Sequence, residues 1–108
     1  MLYIVPTPIG NLRDLTFRAL EVLQSVNKVI CEDTRHTLRL LKHYEIQQTL
    51  ISFHEHSGPG RIREILECLK RGETLALVSD AGTPSISDPG YKLVREAIRE
   101  GIQVMALP

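Results

Sequence analysis

Leu75-Ala76-Leu77-Val78-Ser79-Asp80-Ala81-Gly82-Thr83-Pro84-Ser85-Ile86-Ser87-Asp88-Pro89-Gly90 is the stretch from which the fold of this chain is read. Four apolar residues, enough for a buried strand, run straight into small, turn-forming and hydroxyl side chains from Ser79 to Gly90. Pro89 then opens a helix, where its missing amide would have had no intrahelical partner. The segment between strand and helix buries little apolar surface, so packing gives no reason for its length. It can bring backbone groups, hydroxyls and the Asp80 carboxylate against a small ligand. A plain surface loop is the alternative.

The same alternation of short apolar runs and helical periodicity continues on both sides. Strands are expected at Leu2–Val5, Lys28–Cys31, Thr49–Phe53, Thr74–Val78 and Ile102–Leu107. Thr16 can cap a helix that carries Phe17, Leu20, Val22 and Leu23 on its buried side. Thr34 can cap a second with Leu38, Leu41 and Tyr44 at near-helical spacing, and Ile62, Ile65, Leu66 and Leu69 mark a third. The fourth bears Leu93, Val94 and Ile98. Gly72 and Gly101 stand where left-handed helix stops are expected. Strands this continuously apolar, separated by helices, predict an α/β fold: an open, mainly parallel five-stranded sheet with helices on both faces. Spacing leaves the strand order open.

A chain of 108 residues, 43% apolar and 24% charged, has the size and balance of one soluble domain. Its formal net charge is zero, so no global basic field announces nucleic acid, although a local patch would suffice. Cys31 and Cys68 both read as small buried hydrophobes in a reduced protein. No window has the length of a membrane span and no cleavable signal opens the chain, so a cytoplasmic protein is expected. Gln103 to Pro108 reads as a strand that stops as it leaves the sheet, which predicts further chain beyond it.

In open α/β sheets, ligands sit beyond the carboxyl ends of the strands. Every unusual polar loop of this chain falls on that edge: Pro6-Thr7-Pro8-Ile9-Gly10-Asn11-Leu12, Glu32-Asp33-Thr34-Arg35, His54-Glu55-His56-Ser57-Gly58-Pro59-Gly60, and the stretch after Val78. The opposite connections are short and plain, and this segregation marks one edge as a site. Pro6 and Pro8 stand where a dinucleotide fingerprint needs glycines, and no phosphate-loop lysine follows. The prolines remove amide donors, while carbonyls and carboxylates favour a cation such as a methylsulfonium over a phosphate. Asp33 or Thr34 caps the second helix, or a carboxylate beside Arg35 orients a substrate hydroxyl or phosphate. Arg35, His36, Arg39, Lys42 and His43 crowd one helix as a solvated face or an anion patch. His54-Glu55-His56 lacks a third partner at ligand spacing, so no metal is expected.

Three motifs, Val5-Pro6-Thr7-Pro8-Ile9-Gly10-Asn11-Leu12-x-Asp14-Leu15-Thr16, Glu32-Asp33-Thr34-Arg35-x-Thr37 and Ser79-Asp80-Ala81-Gly82-Thr83-Pro84-x-Ile86-Ser87-Asp88-Pro89-Gly90, occur in this order. Together they resemble the tetrapyrrole methylase superfamily, and more narrowly its bacterial branch that methylates the ribose 2′-hydroxyl of a cytidine in 16S ribosomal RNA. The resemblance implies that residues 1–108 form an N-terminal α/β domain, with a C-terminal domain absent from this chain. It implies S-adenosylmethionine in the cleft between the two, with Pro8 and Ile9 of the first loop and the Gly82-Thr83-Pro84 turn and Ile86 as its contacts. Thr83 replaces the acid of the superfamily's turn, whose role either passes to Asp80 or is absent here.

Asp80 and Asp33 are then the candidates to polarise or deprotonate the acceptor hydroxyl, and Arg35 to hold RNA phosphate. The implied partners are 16S ribosomal RNA in the small subunit and the missing domain, with a homodimer an open option and no membrane. Two alternatives stand beside this: a methylase of a tetrapyrrole or another small molecule, and a non-enzymatic receiver-like signalling domain. The latter carries its acid pair after the first strand, where this chain has Pro6-Thr7-Pro8.

Overall fold

The computed structural model describes residues 1–8, 10–80 and 88–108 of the chain. Its strands and helices alternate as β1 (Leu2–Thr7), α1 (Phe17–Ser25), β2 (Lys28–Cys31), α2 (Thr34–His43), β3 (Leu50–Ser52), α3 (Pro59–Lys70), β4 (Leu75–Asp80), α4 (Asp88–Arg99) and β5 (Val104–Ala106). A single 3₁₀ turn, Leu12–Asp14, lies between β1 and α1. All pairings are parallel and the strand order is β3-β2-β4-β1-β5. Receiver-like domains have the order 2-1-3-4-5, so the observed topology departs from that alternative.

Alternate residues of each central strand feed opposite faces, which explains why the strands read as unbroken apolar runs. Val5, Val29 and Ala76 pack under α1 and α2 with Ala19, Val22, Leu23, Leu40 and Leu41. Leu2, Ile30, Leu75 and Leu77 pack under α3 and α4 with Ile65, Leu66, Leu93 and Ala97. Burying one Leu or Ile contributes about 1.5–3 kcal/mol, against roughly 0–1 kcal/mol for an exposed ion pair. These two apolar layers therefore hold the sheet.

Several boundaries differ from the expectation. β1 runs on through Pro6 and Thr7, and β4 through Ser79 and Asp80, because the two strands pair in register from Leu2–Leu75 to Thr7–Asp80. β3 and β5 are shorter than expected, and α3 begins at Pro59, directly after Gly58 at φ 81°. α4 begins one residue before Pro89. Phe17 is 87% exposed: the buried stripe of α1 runs through Ala19, Val22, Leu23 and Val26, and Phe17 lies about 200° from Ala19 around the axis. Leu38 and Ile98 are 53% and 60% exposed for the same reason, each one position outside its helix's buried row. Gly72 (φ 93°) and Gly101 (φ 81°) are left-handed as expected, at the stops of α3 and α4.

Candidate functional site

The connections leaving β1 and β4 run in opposite directions along the sheet, with α1 on one face and α4 on the other, so a crevice opens where these neighbours end. The buried Thr7 hydroxyl donates to the Ser79 carbonyl at 3.1 Å and locks the two strand ends together. Pro8, one of the expected cofactor contacts, is buried just beyond. Asp80 is the last residue of the β1–β4 ladder, opposite Thr7, rather than a loop residue. Its side chain, and Ile9, Gly82, Thr83, Pro84 and Ile86, lie outside the described residues.

On the α1–α2 side, β2 ends in buried Cys31 and delivers Glu32 and Asp33 to the same edge. Asp33, not Thr34, caps α2: its Oδ1 accepts from the Arg35 and His36 amides at 3.0 and 3.3 Å. An N-cap acceptor needs extended backbone and a short side chain, and Asp33 has both. Thr34, one residue later, is already helical. Burial pushes the Cys31 thiol up, opposed by its hydrogen bond with Thr37, as suits a small buried hydrophobe.

Thr7, Glu32, Asp33, His36, Thr37 and Ser79 surround a hollow of about 70 Å³ at these strand ends. Among the described residues its lining holds two carboxylates, hydroxyls, carbonyls, one imidazole and Val78, and neither Lys nor Arg. That set fits a cationic or hydroxyl-bearing group and opposes a phosphate. A pocket for a whole small molecule measures about 300 Å³ or more, so the hollow takes one group of a larger ligand. For S-adenosylmethionine the fit is therefore to part of the molecule.

In the sequence His36 falls among the cations of a solvated face or anion patch, and the structure separates it from them. Arg35, Arg39, Lys42 and His43 are exposed, whereas His36 is half-buried beside the hollow, with Nε2 buried and without a hydrogen-bond partner among the described residues. Leaving a buried polar atom unpaired costs about 1–3 kcal/mol. The signal was available: His36 lies one turn before Leu40 and next to Thr37, both buried, on the inner side of α2. Arg35 lies outside the hollow's lining and in no ion pair among the described residues, so it is placed for a group approaching from solvent.

A larger hollow of about 510 Å³ lies on the other face, between Phe53, His54, Pro59 and Ile62 of the β3–α3 region and Pro89 and Lys92 of α4. The His54-Glu55-His56 loop closes on itself there: Ser57 Oγ accepts from the His54 amide at 2.9 Å, and His54 Nδ1 from the His56 amide at 3.2 Å.

Known proteins share both the sequence and this architecture. Three curated relatives are each named ribosomal RNA small subunit methyltransferase I. That from Hydrogenobaculum sp. (strain Y04AAS1) is 54% identical over 108 residues, covering 99% of this chain and 47% of the relative. That from Halalkalibacterium halodurans is 51% identical over 107 residues, and that from Escherichia coli O157:H7 is 55% identical; each match covers 99% of this chain and 37% of the relative. The chain thus spans less than half the length of the relatives it matches. Among solved structures, a cobalamin-biosynthetic cobalt-precorrin-4 methyltransferase superposes with a TM-score of 0.74 at 17% identity, covering 99% of this chain and 44% of that one. Uroporphyrin III C-methyltransferase from Thermus thermophilus gives 0.74 at 19%, covering 99% and 47%. At such identities these two establish the fold alone. The family model of the tetrapyrrole (corrin/porphyrin) methylases matches residues 1–108 throughout, and the chain belongs to that family.

Proposed function

We propose that the protein carrying this chain transfers a methyl group from S-adenosylmethionine to the ribose 2′-hydroxyl of a cytidine in 16S ribosomal RNA, within the small ribosomal subunit in the cytoplasm. One observation carries the reading: identity above 50% over almost the whole chain to relatives named ribosomal RNA small subunit methyltransferase I. The site geometry supports it, since the acceptor-rich hollow where β1 and β4 end suits a hydroxyl or a cation. No helix among the described residues is long and apolar enough to cross a membrane.

When bound, the cofactor supplies a methyl group already activated on a sulfonium. The rigid pair of strand ends, held by Thr7 and Ser79, forms one wall against which acceptor and donor are aligned. The acceptor hydroxyl would take up that methyl group and give its proton to a carboxylate of the site. Asp80, at the end of β4, and Asp33, whose Oδ2 takes no part in the cap, are the carboxylates proposed to polarise that hydroxyl. Arg35 holds RNA phosphate from the solvent side. Pro8, Ile9, Gly82, Thr83, Pro84 and Ile86 are proposed as contacts of the cofactor, and a second domain as the other half of its cleft. The 70 Å³ hollow and the greater length of the relatives support that division.

The test is methyl transfer by the full-length protein to small-subunit particles isolated from cells that lack it. The expected product is methylation at one cytidine that makes the adjoining phosphodiester resistant to alkaline hydrolysis. Transfer to a tetrapyrrole and none to the particle would overturn the reading.

A further inference from the structure

We infer that the exposed side of α2 is a rail for the RNA backbone, along which Arg39 and Lys42 hold the phosphates next to the one at Arg35. The inference rests on the methyl-transfer reading and adds two residues which that reading leaves unused. Arg35, Arg39 and Lys42 are all exposed and follow one another at spacings of four and three. At about 100° per residue they fall within an arc of about 60° on one side of the helix. α2 carries no Asp or Glu, and none of the three cations meets a carboxylate at ion-pair distance among the described residues. The helices of the other face answer their cations: Arg61 pairs with Glu64, Arg63 and Lys70 with Glu100, and Arg95 and Arg99 with Glu96. The helix dipole favours Lys42 in the last turn but opposes Arg35 in the first, and reaches Arg39 in neither. Neither an ion pair nor the dipole therefore accounts for Arg35 and Arg39.

Spacing and position select the partner. Seven residues of helix separate Arg35 from Lys42, a rise of about 10.5 Å. A nucleic-acid strand carries one phosphate per about 3.4 Å of helix axis, so that length spans about three nucleotides, one for each cation. The two arginines present planar forks that suit phosphate oxygens, and the lysine a point charge. α2 starts directly after Glu32 and Asp33 of the hollow and runs from there toward the opposite edge of the sheet. The carboxylates of the hollow repel phosphate while the helix attracts it. A strand whose acceptor ribose sits at the hollow therefore has its neighbouring phosphates directed onto α2. The formal net charge of the chain is zero, so the row acts as a local footing and not as part of a general basic field. Such phosphate contacts fix register and leave the reading of bases to other groups.

The experiment compares wild-type full-length protein with Arg39→Gln, Lys42→Gln, the double variant, Arg39→Lys and, as a control from the ion-paired face, Arg99→Gln. Affinity for small-subunit particles is measured by filter retention over a series of potassium chloride concentrations, together with kcat at saturating particle and S-adenosylhomocysteine affinity by calorimetry. Each single Gln variant of α2 is expected to bind particles about threefold more weakly, and the double variant about tenfold. The plot of log affinity against log salt should flatten by about 0.7 for each cation removed, the value for one phosphate of a single strand. Arg39→Lys keeps the slope because it keeps the charge, and Arg99→Gln matches wild type in affinity and slope. Turnover at saturation and S-adenosylhomocysteine affinity stay within about twofold, as for a contact that acts in binding alone. An unchanged slope in the double variant, an equal loss in Arg99→Gln, or an equal loss in Arg39→Lys and Arg39→Gln would overturn the inference. So would wild-type particle affinity in a double variant that no longer binds phosphatidylserine vesicles, which would assign the row to a membrane. A wild-type protein that binds particles with the expected slope yet transfers no methyl group to them overturns the methyl-transfer reading while supporting the rail.

Discussion

At the amino edge of the sheet, Asn27 and Thr74 bind each other three times: amide to carbonyl at 2.8 Å, and Asn27 Oδ1 accepting the Thr74 amide and hydroxyl at 2.8 and 3.2 Å. Beside them Glu73 bridges Lys28 and Arg71, each at 3.1 Å, and both cations also reach Cys68 Sγ. At the carboxyl edge, two carboxylates face a hollow without Lys or Arg in its lining, and a buried ring nitrogen has no described partner. Both edges end the same strands and rest on the same apolar layers. The apolar layers hold both edges; at the amino edge the polar groups answer one another, while at the carboxyl edge the lining carboxylates are left for a ligand.

Removing what the edges share should have the largest effect. Leu75 is fully buried and opens β4, paired with Leu2 on one side and Lys28 on the other. Leu75→Ala is expected to cost about 2–5 kcal/mol in urea unfolding. A cost under about 1 kcal/mol would mean that the edges do not share a core.

A split between the edges is expected next. Asn27→Ala deletes the acceptor of two bonds and should cost about 1–2 kcal/mol, while methyl transfer per folded molecule stays at the wild-type level. Turnover lost with folding intact would break the division. At the other edge, Asp33→Ala should cost about 1 kcal/mol through the lost cap. Asp33→Asn keeps the cap and should hold stability within a few tenths of a kcal/mol. If the Asp33 charge polarises the acceptor, Asn still lowers turnover by about 10²-fold; wild-type turnover in Asn would leave Asp33 a capping residue only.

Legibility in sequence divided along similar lines. Strands such as Lys28-Val29-Ile30-Cys31 and stops such as Gly72 are written in local periodicity and backbone chemistry, so element types and the α/β class could be read directly. The bond from Thr7 to Ser79 spans 72 residues and follows from β1 lying beside β4, a choice that no local pattern encodes. Asp33 and Thr34 are both good caps in the sequence, and only backbone geometry selects Asp33. Phe17 was expected inside on hydrophobicity alone, although the buried stripe of α1 passes it by. His36 was grouped by charge when its place on the helix, one turn before Leu40, was the stronger signal.

The smallest expected effect is a pH dependence written into the amino edge. Hydrogen bonds from Lys28 and Arg71 hold the Glu73 carboxyl below its usual range. The unfolded chain has a carboxylate pKa of about 4.3, so ionised Glu73 stabilises the fold fully above that value. The contribution is lost as pH falls through the lower folded value, where the carboxylate takes up a proton. Lys28 is shifted the other way, raised mainly by its hydrogen bond to Glu73 and next by that to Cys68. Its contribution is full below the unfolded lysine value of about 10.4 and fades as pH rises through the folded one. Glu73→Gln should therefore flatten the acid limb of a melting-temperature profile below about pH 5 and trim the alkaline limb. Because both side chains remain partly exposed, added salt should shrink the difference between variant and wild type. Methyl transfer by the folded protein should follow neither change. If the Glu73→Gln profile of turnover shifted along with that of melting, the two edges would be coupled, and the carboxyl edge could no longer be treated as a site supported by, but chemically separate from, the amino edge.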